Sequence, residues 1–188
     1  MSETGKNIVL GFQELRKFCR QLSLLLRTAD GLMAEAGWNP IPRSSVFGNA
    51  SRAVEYPDWW LPGDFSRFYK HGAHKHLLAY VGAIVNDHPT DPGGVVVSEP
   101  LLSAGWLDYG LGNESNAWEN YFCRAHVWWK DQIVYGKLHT SEHPQAIGLP
   151  PYVLKVASLA YPLDDIQTAA ALKEKVVTQL LDEINKAH

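Results

Sequence analysis

A chain of 188 residues that is 46% apolar and 20% charged has enough hydrophobic material for one core and lacks the balance typical of a disordered segment. Lys and Arg total 17 against 20 Asp and Glu, a formal net charge of -3, so no overall positive field points to nucleic acid. Two cysteines argue against a disulfide scaffold, residues 1–6 lack the pattern of a secretory leader, and Arg20, Arg27 and Asp30 interrupt the greasiest stretch. Together these features predict one cytoplasmic domain over residues 1–188 with no membrane span.

The first predicted element is a helix over 9–36. Ile8, Phe12, Leu15, Cys19, Leu22, Leu26, Ala29, Met33 and Ala36 advance in steps of four and three, which puts them on one helical face. Phe18, Leu25 and Leu32 widen the stripe beyond a narrow seam, so the helix is expected to lie on a core. Gly31 weakens the pattern late, and Gly37 followed by Pro40 and Pro42 marks its end.

Over 43–161 the composition changes to branched and aromatic runs between Gly, Pro, Asn and Asp clusters, the pattern of antiparallel strands. The strand candidates are 43–55, 65–70, 76–86, 94–108, 122–130, 133–139 and 152–161, with Pro100 splitting the fourth. Loops are expected at 86–94, 110–116 and 140–151, and a hairpin turn at 130–132.

A second helix is predicted over 165–186 from Leu172, Val176, Leu180 and Ile184, supported by Val177 and Leu181. Asp164 or Asp165 is placed to cap it, and Asp182 with Lys186 is spaced as an i, i+4 pair. The expected fold class is α+β: an antiparallel sheet of five to seven strands with the long N-terminal and C-terminal helices packed on one face.

Chemical signals are weaker. His74 and His76 would share a strand face and offer two imidazoles to a divalent metal, with His126, His139, His143, Asp87, His88 or Asp91 as further ligands. No zinc spacing supports the set, and a polar turn flanked by Lys70 and Lys75 is the favoured reading. Asp87, Asp91, Glu99 and Asp108 could serve a metal-dependent hydrolase or nuclease, but 92–108 contains no Lys or Arg. His139 and His143 suit a metal only on a helix, which Pro144 opposes. Ser103 lacks the nucleophile-elbow pattern, and Cys123 reads as a structural thiol near His126.

Seven tryptophans include the pairs Trp59-Trp60 and Trp128-Trp129, which on strands would send one indole to each face. These features lead to the expectation of a non-catalytic binding or regulatory module. Its aromatic sheet face, carrying Trp106, Tyr109, Trp128 and Trp129, would hold a small molecule or protein partner. No cofactor is expected outside the metal alternative. A homodimer is a further expectation, and a third reading makes the first helix the dimerisation or partner-binding element.

Overall fold

The first helix, α1, spans Glu3–Glu35 in a computed structural model that describes residues 3–41, 45–46, 63–85, 99–110, 134–141 and 151–187. It ends as its sequence dictates. Gly37 takes φ +82°, a left-handed conformation that glycine adopts without a Cβ penalty, and its N–H donates to the Ala34 carbonyl.

The chain then enters a strand at once: β1, Trp38–Ile41. Pro40 hid this strand from sequence reading, yet proline is tolerated there because β1 lies at a sheet edge. The other strands are β2 (Asp64–His71), β3 (Leu77–Ile84), β4 (Leu101–Asp108), β5 (His139–Ser141) and β6 (Lys155–Pro162). They form one antiparallel sheet in the order β1-β2-β3-β4-β6-β5. The α+β class with an antiparallel sheet is therefore observed, and β4 begins directly after Pro100, which was expected to interrupt the candidate 94–108; residues 94–98 lie outside the described residues. Of the described part of the expected strand 133–139 only His139 is in a strand, β5, which runs on through Thr140 and Ser141 into the expected loop 140–151; 134–138 instead contains a turn in which Gly136 has φ +74°. The candidates 43–55 and 122–130 and the turn at 130–132 lie largely or wholly outside the described residues.

Alternation along paired strands assigns the two faces. Tyr69, Ala79, Trp106 and Ala157 share one face with Val81, Ala104 and Leu159, and these pack with Ala29 and Met33 of α1. Leu172, Val176, Leu180 and Ile184 complete the same core. Arg67 of β2 fixes α1 by a two-pronged bond to Asp30, at 3.0 Å from Nε and 2.7 Å from Nη2. It also donates to the Ser45 carbonyl. Beside this pair, burial and the Asp30 carboxylate hold the Tyr69 hydroxyl well above its ordinary pKa, keeping it neutral.

The second helix, α2, covers 169–187 and follows a 3-10 turn at Leu163–Asp165. Thr168 caps it, accepting from the Ala171 N–H at 3.1 Å, so neither Asp164 nor Asp165 has the capping role expected of it. Both aspartates belong to the preceding turn, whose Leu163 N–H bonds the Pro100 carbonyl. Within α2, Leu172–Thr178 is a π-helix. A row of four-residue steps creeps about 40° per step around an α-helix, and the wider π turn rotates it back. Leu172, Val176, Leu180 and Ile184 thereby all reach the core. Lys186 pairs with Glu183 at 2.7 Å, and Asp182, its expected i, i+4 partner, attracts it more weakly.

Candidate ligand groove

Only the second half of the α1 stripe is buried. Leu22, Leu26, Ala29 and Met33 face the sheet, whereas Ile8, Phe12 and Cys19 are exposed. The stripe outruns the surface it was expected to cover.

Where α1 meets the sheet, its flank leaves a groove of about 670 Å³ against the start of α2. One wall carries Phe18, Leu22, Leu25 and Thr28, and the other carries Leu163, Ile166 and Leu172. This wall arrangement follows from local structure. The 3-10 turn, held by the Leu163 to Pro100 bond, turns the chain from β6 towards α2, and Ile166 and Leu172 bury their sides beneath it. Gln21, Asp164, Gln167 and Thr168 supply the polar part of the lining. Such a mixture suits an elongated amphipathic molecule whose apolar body replaces water over the leucines and whose polar end meets the amides.

The residues singled out in the sequence lie elsewhere. Trp106 is on the helix-covered face, fully within the core, which reverses the face expected for it. Period-two alternation fixed its side relative to Ala104 but not which side the helices would take. Tyr109 follows β4 and is also buried; its N–H donates to the His76 carbonyl at 3.1 Å. Burial and nearby Asp108 raise its hydroxyl pKa strongly. The face opposite the helices is buried as well along Ser66, Phe68, Leu78, Tyr80, Ser103 and Leu107, so these residues do not form an open aromatic surface. There Tyr80 Oη lies 2.7 Å from Ser158 Oγ and 3.4 Å from Ser103 Oγ, and burial raises its pKa to about 12 despite both bonds. Trp128 and Trp129 are outside the described residues.

His74 and His76 sit in the turn between β2 and β3 instead of along a strand. His74 stacks on Trp38 at 6.2 Å between centroids, with an angle of 2°, and lies 4.9 Å from the His71 ring. His71 Nδ1 accepts the Ala73 N–H at 3.1 Å. Burial lowers the His74 pKa, and the like charges of His71 and His76 lower it further. Among the described residues no group of three or more His, Cys, Asp or Glu is placed to hold a metal ion. Glu99 accepts from the Tyr135 hydroxyl at 3.4 Å, and Asp108 accepts the Gly110 N–H at 2.8 Å. Asp87, His88, Asp91, Cys123, His126 and His143 are outside the described residues. His139 begins β5, and its Nε2 accepts the Val134 N–H at 3.3 Å.

Sequence reasoning missed the groove because its walls are 140 positions apart and only packing joins them. The available signal was Phe18 and Leu25, which fall beside the main stripe and were read as widening it. No described helix is long and apolar enough to cross a membrane. Comparison with family models, curated proteins and solved structures finds no match.

Proposed function

We propose that this protein is a non-catalytic binding module that holds an amphipathic small molecule in the groove between α1 and α2. The observation carrying this reading is the apolar lining of Phe18, Leu22, Leu25, Leu163, Ile166 and Leu172, open to solvent beside Gln21 and Gln167. The site moves from the aromatic sheet face to a helix junction. Its volume falls within the roughly 300–1,000 Å³ range of small-ligand pockets.

Titration with 1-anilinonaphthalene-8-sulfonate tests the reading, with Ala169→Trp as the blocking variant. Ala169 lines the groove and is exposed, so a large side chain there obstructs entry without replacing a core residue. Saturable binding of one probe per chain, lost in A169W, is expected. Binding that is absent, or that survives unchanged in A169W, refutes the assignment.

A further inference from the structure

The groove between α1 and α2 carries charge of a single sign. Asp164 is the one ionic side chain in its lining, which contains no Lys, Arg or His. This carboxylate is exposed and makes no hydrogen bond or ion pair among the described residues. An uncompensated carboxylate at the edge of apolar surface attracts a cation, and the surface beside it takes up whatever hydrocarbon that cation carries.

Two features of the lining bear on the sign. Thr28 gives its hydroxyl hydrogen to the Leu24 carbonyl at 2.9 Å, so only its lone pairs remain for a ligand. The start of α2 acts in the opposite direction, because a helix N-terminus carries roughly half a positive charge. Thr168 already answers part of that charge by accepting the Ala171 N–H at 3.1 Å. The whole charge on Asp164 therefore outweighs what is left, and Lys17, next in sequence to Phe18, is tied to Glu14 at 2.7 Å.

We infer that the ligand of this groove is a cationic amphiphile: an alkylammonium whose N–H groups meet the Asp164 carboxylate and whose chain lies over Phe18, Leu25 and Leu163. The inference rests on the binding reading proposed above and narrows it to one head-group charge. Apolar burial supplies most of the affinity, in proportion to the area removed from water. The charge supplies selection, and a modest one. Asp164 is exposed, so water and salt weaken the attraction, and exposed ion pairs favour association by about fivefold at most.

Isothermal titration of the full chain with octylammonium, 1-octanol and octyl sulfate, at neutral pH and low salt, tests the preference. Octylammonium is expected to bind about two- to fivefold more tightly than octanol, and octyl sulfate more weakly than either. Raising the salt concentration should compress the series. Asp164→Asn should bring octylammonium and octanol together, without change in the near-ultraviolet circular dichroism. Asp165→Asn should leave the series intact, since Asp165 is also exposed but does not line the groove. A169W should weaken all three ligands.

Ligands that bind alike and are blocked by A169W would leave the groove as a binding site and overturn the choice of a cation. So would a preference for octyl sulfate, or a preference for octylammonium that survives D164N or is lost in D165N. Failure of all three to bind, or binding untouched by A169W, overturns the groove assignment together with the inference.

Discussion

The two halves of α1 share one repeat and meet opposite surroundings. Met33 is fully buried over the sheet, while Phe12, three heptads earlier on the same row, is 58% exposed. Period encodes a face; it does not encode what lies across from that face. The contrast separates residues that hold the fold from residues that contribute little to it, and substitutions in the two halves should divide accordingly.

The largest difference is expected from truncation. Met33→Ala should cost about 2–4 kcal/mol through lost burial and an internal cavity, whereas Phe12→Ala should change the unfolding of the single chain by about 0.5 kcal/mol or less. Urea denaturation in dilute solution measures both; equal losses would erase the distinction between the halves.

Asp30→Ala comes next. It leaves the Arg67 guanidinium buried without its carboxylate, a loss placed at about 2–3 kcal/mol, below the usual 3–5 because Asp30 retains partial exposure. Arg67→Met combined with D30A should recover part of that stability. If the double variant is as unstable as D30A alone, the charge pair is not the fastening between α1 and β2.

Glycines give a smaller comparison with a sign change. Gly37→Ala should destabilise by about 1–2 kcal/mol, since the positive φ opposes a Cβ and His71 Nε2 lies 2.6 Å from where it would stand. Gly31→Ala, exposed and with nothing nearby, should stabilise by up to about 1 kcal/mol. Thermal unfolding reports both; equal signs would refute the conformational account.

The smallest expected effect concerns pH. His74 has a lowered pKa when folded, so the unfolded chain binds more protons just below its ordinary value of 6.5. The associated stability is complete above that value and declines as pH falls below it. His74→Gln should flatten the stability profile just below the ordinary histidine value of 6.5, as followed by urea midpoints. An unchanged slope would remove His74 as its source.

Much of the fold was legible because local rules had little competition. Gly37 announced the end of α1, and the branched runs around 65–70, 76–86 and 152–161 became β2, β3 and β6. β1 was concealed by Pro40, a residue that discourages strand assignment but fits an edge. Thr168 was passed over because Asp164 and Asp165 stand closer to the expected helix start, and the intervening 3-10 turn leaves no mark in hydrophobic period. For the site, alternation could not tell which face of β4 the helices would cover, so Trp106 was assigned to the uncovered side. The groove was illegible for a different reason: the surface between Leu25 and Ile166 is created by tertiary packing.

The described edges of the sheet carry a consequence for how the molecule avoids unwanted growth. β1 is only four residues long and contains Pro40, which has no N–H to give a ladder, and β5 offers only three residues on the far side. Among the described residues a neighbouring polypeptide has little ladder to extend at either border, so backbone templating into fibres through these two strands is disfavoured.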